Sequence, residues 1–285
     1  MKTLLRPATA RRRKVKKEAP AEVGPAFVGA AESLRDEQMK PTVLVIGADK
    51  GGVGKTTVAR TLLDYLRAKS IPTRAFDAEF PRGTLKRFHP SATDIVDIQS
   101  TPDQMRMLDT LSTSESSVTL IDLRAGHLTT TLKAFRDNGF FDAVQAGDFN
   151  FVLFHILGPS IASLNEIDEV APYAGNGSYF VVKNFINDTS FFEWDPAVKS
   201  SYFQKTRDAT EITIPKLTEM ACEQVELAGV PFSSFISNKN AEGGAGNYSL
   251  VLRGYVRTWL MQIVSEYERA GLLKRLHAEE AAPSA

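Results

Sequence analysis

The residues best suited to do chemistry are Lys50, Gly51, Gly52, Val53, Gly54, Lys55, Thr56 and Thr57, which run consecutively. They follow the apolar run Val43–Ile46 and precede a helical pattern, so the local order is strand, glycine-rich turn, helix. That context matters, because glycines let backbone N–H groups converge on an anion and the helix N-terminus adds its dipole. In such a loop Lys55 reaches the β- and γ-phosphates, the Thr56 hydroxyl ligates Mg²⁺, and Thr57 donates to the α-phosphate. The stretch therefore predicts a nucleoside triphosphate site. An ordinary loop of this kind needs no lysine at position 50.

The string KGGVGKTT resembles the deviant Walker A motif of the ParA/MinD-type ATPases. The resemblance implies that Lys50 crosses a two-fold axis to the nucleotide of a partner subunit, tying ATP binding to formation of a homodimer. It also assigns roles further along. Asp77 stands where the family holds the magnesium shell, and Glu79 where a second carboxylate orients the attacking water. The match is loose, with Glu for the usual Asp and Phe80 inserted before Pro81. Val118–Asp122 has the Walker B form, with Asp122 as magnesium partner and Gly126 as the switch residue meeting the γ-phosphate. Arg124 replaces a proline there. By the same likeness Asn184 reads the base and the Ile214-Pro215 segment closes over it. ATP and Mg²⁺ are the implied cofactors, and slow, partner-stimulated hydrolysis the implied activity.

These residues need elements to carry them. Val58, Leu62, Tyr65 and Leu66 recur at helical spacing after the loop, and that helix should stop near Lys69-Ser70 before Pro72. Strands are expected over 73–77, 118–122, 149–157, 178–184 and 211–215. Helices are expected after Ser160, over 216–228, and over about 248–276, where Val251, Tyr255, Leu260, Val264 and Tyr267 supply part of the buried side. Strands alternating with helices predict an α/β fold of the P-loop NTPase type, a mostly parallel doubly wound sheet with helices on both faces. Ligands of such sheets bind at the carboxyl ends of the strands, where Gly51–Thr57, Asp77 and Asp122 all fall.

The chain has 285 residues, 43% of them hydrophobic, and no apolar run long enough to span a bilayer. Its zero formal charge hides an asymmetry. Residues 1–20 hold eight basic side chains and one acid, Glu18, a net +7 balanced by −7 over the rest. Residues 1–40 are expected to be a disordered basic arm, 41–277 the ATPase domain, and 278–285 a disordered tail. The arm suits either a contact with nucleic acid or mere solubilisation. Arg253, Arg257, Lys274 and Arg275 of the last helix could also face DNA. Residues 271–276 weakly suggest a membrane-targeting tail, although membrane contact is not the expected behaviour. One cysteine, Cys222, excludes an internal disulfide and fits a reducing, cytoplasmic compartment. It is expected to be a small buried residue. The four histidines lack metal-ligand spacing.

Two functional readings follow. The first is a ParA/MinD-type ATPase that switches between monomer and ATP-sandwich dimer to position or segregate a cargo, such as plasmid DNA, a chromosome locus or a protein complex. Its loosened second motif is similar to plasmid-borne or conjugation-associated relatives of the TraL type. Its activator or cargo protein is not legible in the sequence. The second is a nucleotide-gated adaptor with little or no turnover, for example in conjugative DNA transfer. A kinase or amidotransferase-type synthetase on the same fold finds no acceptor-binding motif to support it.

Overall fold

The computed structural model describes residues 40–111, 113–186 and 190–277. The expected arm and C-terminal tail lie outside the described residues, except for Lys40.

β1 (Thr42–Gly47) is buried at every position. Its β-branched and aliphatic residues suit a strand covered on both faces. Leu44 and Ile46 point to one face of the sheet, and Val43 and Val45 to the other. Six further strands join it: β2 (Thr73–Asp77), β3 (Thr93–Ile95), β4 (Val118–Asp122), β5 (Asn150–Leu157), β6 (Ser178–Asn184) and β7 (Thr210–Ile214). All pair in parallel, in the order β3-β2-β4-β1-β5-β6-β7. The chain builds one side of β1 first and crosses to the other at β5, which leaves a crevice at the carboxyl end of β1.

One face carries α1 (Lys55–Ala68), α8 (Glu219–Ala228), α9 (Phe232–Ile236), α10 (Leu250–Arg269) and α11 (Leu272–His277). The other carries α3 (Thr101–Leu108), α4 (Leu128–Asp137), α5 (Phe140–Ala146), α6 (Ile161–Ala174) and α7 (Pro196–Thr206). The short α2 (Thr84–Phe88) follows the β2 loop. α1 buries Val58, Leu62, Tyr65 and Leu66, as its spacing predicts, and the chain turns at Ser70 with φ of 57°.

The C-terminal region departs from expectation in several ways. The single helix over 248–276 is broken: α10 ends at Arg269, and Gly271 takes a φ of 65° that a glycine adopts without steric cost. That turn directs Leu272 and Leu276 into the core, where both are fully buried. The segment that suggested a membrane tail thus spends its leucines on the domain itself. The buried stripe of α10 is Val256, Trp259, Ile263 and Tyr267, whereas Val251 and Tyr255 are exposed. An apolar-rich helix offers more than one stripe, and packing against α1 and β7 selects this one. Arg253 donates to the Ile236 carbonyl (3.4 Å) and Arg275 to the Thr210 hydroxyl (2.8 Å), while Arg257, Lys274 and Arg275 face out as expected. Helix α8 starts at Glu219 rather than 216, because residues 215–218 take no regular structure and Thr218, its N-cap, has a non-helical ψ of 140°. Among the described residues no helix is long and apolar enough to cross a membrane.

Candidate functional site

The glycine-rich turn caps β1 and opens α1. Gly54 is its tightest point, with φ of 85° and a virtual Cβ only 2.1 Å from Asn184 Nδ2. Any side chain there would meet both strain and collision. Asn184, at the end of β6, is buried and donates from Nδ2 to the Val53 carbonyl (3.0 Å). Its amide therefore holds the loop from behind. Lys55 is buried within the turn, and Nζ donates across it to the Lys50 carbonyl (3.3 Å). Burial lowers the Lys55 pKa, opposed by the charges of Asp122, Glu166, Asp49 and Glu79. Lys50 behaves differently: it is exposed and its Nζ lies 2.9 Å from Ser160 Oγ, outside its own loop.

Strand register brings the carboxylates together. Asp77 and Asp122 are cross-strand partners at the ends of β2 and β4, and Asp122 also pairs with Ile46 of β1. Asp122 is fully enclosed, and burial pushes its carboxyl pKa up to about 8. The charges of Asp77 and Glu79 add to the rise, while a hydrogen bond with Thr56 and the Lys55 ammonium oppose it. Among the described residues its Oδ1 is buried without a hydrogen-bond partner. An orphaned buried carboxylate oxygen beside a threonine hydroxyl, next to the glycine-rich turn, suits a divalent cation with a strong preference for oxygen. Among the described residues no cluster of three His, Cys, Asp or Glu could hold a metal by itself. Mg²⁺ commonly uses one or two protein ligands and takes the rest from phosphate and water, so the donor set fits it.

Asp77 is committed locally. Oδ1 accepts the Glu79 N–H (2.9 Å) and Oδ2 the Lys86 N–H (3.1 Å), folding the intervening loop back on α2. Glu79 Oε2 accepts the Thr84 hydroxyl at the start of the same helix. Gly126 has φ of 79° with open space beside it, and the loop before it faces the glycine turn, Gly51 lying close to Ala125. Thr57, Asn184 and Pro215 line one cavity of about 130 Å³, with Ile186, Leu217 and Trp259 as apolar wall. The Pro215 carbonyl is taken by Trp259 Nε1 (2.6 Å).

The all-parallel sheet order, with a glycine-rich turn between β1 and α1, is an α/β fold of the P-loop NTPase type. Similar solved structures include the septum site-determining protein MinD from Pyrococcus horikoshii with Mg-ADP, at 14% identity and a TM-score of 0.49, covering 83% of this chain and 99% of that one. A nucleotide-binding protein from Archaeoglobus fulgidus in complex with ADP shares 15% identity at a TM-score of 0.46, covering 66% and 86%. An McdA variant from Cyanothece in complex with ATP shares 14% at 0.42, covering 79% and 96%. No protein-family model matches the chain, and no curated protein matches its sequence.

Sequence reasoning missed several residues of this site. Asp49, just before the glycine turn, caps α4, and Arg60 lies between the Phe88 and Phe232 rings while paired with Glu226. Glu166 and His155 lie beneath the loop. None carries a motif, and only their distance in space from the glycine turn reveals them. Cys222 is exposed on α8 rather than buried. Partial burial and Glu226 raise its thiol pKa, with Arg60 opposing, so it stays protonated and is a poor nucleophile.

Proposed function

We propose that the chain is a ParA/MinD-type ATPase, which binds ATP with Mg²⁺, dimerises around it and hydrolyses it slowly. The observation that carries this is the division of labour between the two lysines. Lys55 is buried within the turn, whereas Lys50 is exposed on its rim and leans away over Ser160. A lysine so placed has little to offer its own phosphates and is free to reach those of a second copy. The backbone of Gly51–Gly54 and the Thr57 hydroxyl would bind the phosphates, and Gly126 would meet the γ-phosphate. Thr56 and Asp122 would hold Mg²⁺, with Asp77 contributing charge beside them. The bound ion would draw charge from the β- and γ-phosphate oxygens. Asn184 and Pro215 would bound the base.

In hydrolysis a water oxygen bonds the γ-phosphorus as the bond to the β–γ bridging oxygen breaks, leaving ADP and phosphate. Glu79 would orient that water after releasing Thr84, and the two lysines would neutralise charge on the oxygens. Light scattering with size-exclusion chromatography tests the reading. A non-hydrolysable ATP analogue, but not ADP, should yield a dimer, and Lys50→Ala should weaken it. An unchanged monomer under all conditions would sink the dimer switch.

The engagement of Glu79 by Thr84 favours one second reading, a nucleotide-gated adaptor with little turnover. Single-turnover phosphate release separates the two: hydrolysis lost in Glu79→Ala supports the ATPase, and none in either protein supports the adaptor. The proposal also includes cargo positioning, which rests on the sequence resemblance, DNA contact through residues 1–40, which rests on their basic charge, and a cytoplasmic location, which rests on the single cysteine.

A further inference from the structure

Beneath the glycine turn runs a buried polar chain that the phosphate chemistry does not use. Tyr179 on β6, His155 on β5 and Glu166 on α6 are all buried, His155 completely. The Tyr179 hydroxyl lies 2.9 Å from His155 Nδ1, and His155 Nε2 lies 3.1 Å from Glu166 Oε1. Glu166 in turn accepts the backbone N–H of Asp49, and the Lys50 N–H also faces it. An ionised carboxylate only accepts, so Nε2 donates to Glu166, and Nδ1 pairs with the Tyr179 hydroxyl. Every member is thereby satisfied, which a buried polar chain requires to be tolerated. Burial alone would raise the Glu166 pKa, but the bonds from His155 and the two backbone amides outweigh it and hold the carboxyl below its ordinary value.

The Glu166 charge also acts on Lys55, but its direct hydrogen bonds lie elsewhere. It grips the backbone at the two residues where the turn begins, and Lys50 is one of them. Helix α6, which carries Glu166, is preceded directly by its N-cap Ser160, whose hydroxyl sits against Lys50 Nζ. Gly158 leaves room for the lysine stem, since a Cβ there would lie 2.9 Å from Lys50 Cδ. One helix therefore controls both ends of Lys50.

We propose that Glu166, braced by His155 and Tyr179, is a positioning residue for Lys50, which fixes the backbone from which the lysine leaves and so directs its ammonium along the rim formed by Gly158–Ser160 toward a second copy. This rests on the reading of Lys50 as the lysine that completes a partner's site. The device governs dimerisation and leaves nucleotide capture by a single chain to Lys55 and the loop amides.

The test separates those two quantities. Affinity for a fluorescent ATP analogue is measured at dilution, and the analogue-dependent dimer constant by sedimentation, for wild type, Glu166→Ala and Glu166→Gln. Glu166→Ala should weaken the dimer at least tenfold while nucleotide affinity stays within about threefold. Glu166→Gln, which keeps an acceptor for the amides, should recover most of the dimer. Parallel losses in both quantities, no loss in either, or a glutamine as poor as alanine would overturn the proposal. Should Glu166→Ala fail to fold, Tyr179→Phe carries the test: a dimer several-fold weaker with nucleotide affinity kept supports it, and an unchanged dimer overturns it. A wild-type chain that never dimerises would instead remove the underlying reading.

Discussion

Asp49 Oδ1 lies 2.8 Å from the backbone nitrogen of Leu128, the first residue of α4. Oδ2 accepts from the Thr129 hydroxyl (2.5 Å) and backbone (3.3 Å). The residue before Lys50 therefore caps the helix that follows the Gly126 loop. A carboxylate there satisfies orphan N–H groups and complements the helix dipole. The glycine turn and the expected γ-phosphate switch are thus joined by a side chain as well as by proximity.

Asp49→Ala should lower stability by about 1 kcal/mol, the usual cost of losing an N-cap acceptor. Urea unfolding measures it, and Asp49→Asn, which keeps an acceptor oxygen, should recover at least half. Equal stabilities in all three proteins would show that the cap contributes nothing.

Asp122 sets a pH dependence of defined sign. Its folded pKa of about 8 lies above the ordinary carboxylate value, so the folded chain binds a proton that the unfolded chain has lost. Nucleotide-free protein should lose stability as pH rises from about 4 to about 8, with a slope of up to about 1.4 kcal/mol per unit from this group. Asp122→Asn should flatten that slope. Binding of Mg²⁺ with nucleotide needs the ionised form, so at pH 7 it should release up to one proton. Calorimetry in two buffers of different ionisation enthalpy reads the release, and none would contradict a raised Asp122.

Lys55→Ala should weaken ATP binding by roughly 10- to 100-fold, the range expected for a charge-assisted hydrogen bond to phosphate. Gly54→Ala should do at least as much damage, because its methyl collides with Asn184 at a φ of 85°. Adding Asn184→Ala would relieve the collision but not the backbone strain, so the double variant should recover only part of the affinity in a fluorescent-nucleotide titration. Full recovery would mean that the strain at Gly54 is unimportant.

Leu272 and Leu276 are both buried against the sheet. Leu272→Ala should destabilise the protein by about 2–5 kcal/mol, as for other buried leucines. Removing residues 271–285 should lower the melting temperature and leave co-sedimentation with liposomes unchanged. A truncation that loses vesicle binding without losing stability would restore the membrane reading.

The sequence by itself determined the glycine-rich loop, the order of strand and helix around it, and the α/β class. These are local properties, because glycine conformation, apolar periodicity and strand-end acids act over a few residues. Asp77 and Asp122 could be named from their own segments, but only strand pairing sets them side by side. Asp49, His155, Glu166 and Tyr179 bear no motif, since their meaning arises from hydrogen bonds across as many as 117 positions of chain. The break at Gly271 and the buried stripe of α10 were likewise decided by packing. An apolar pattern says that a face must be buried, while the neighbouring surface alone says which face fits.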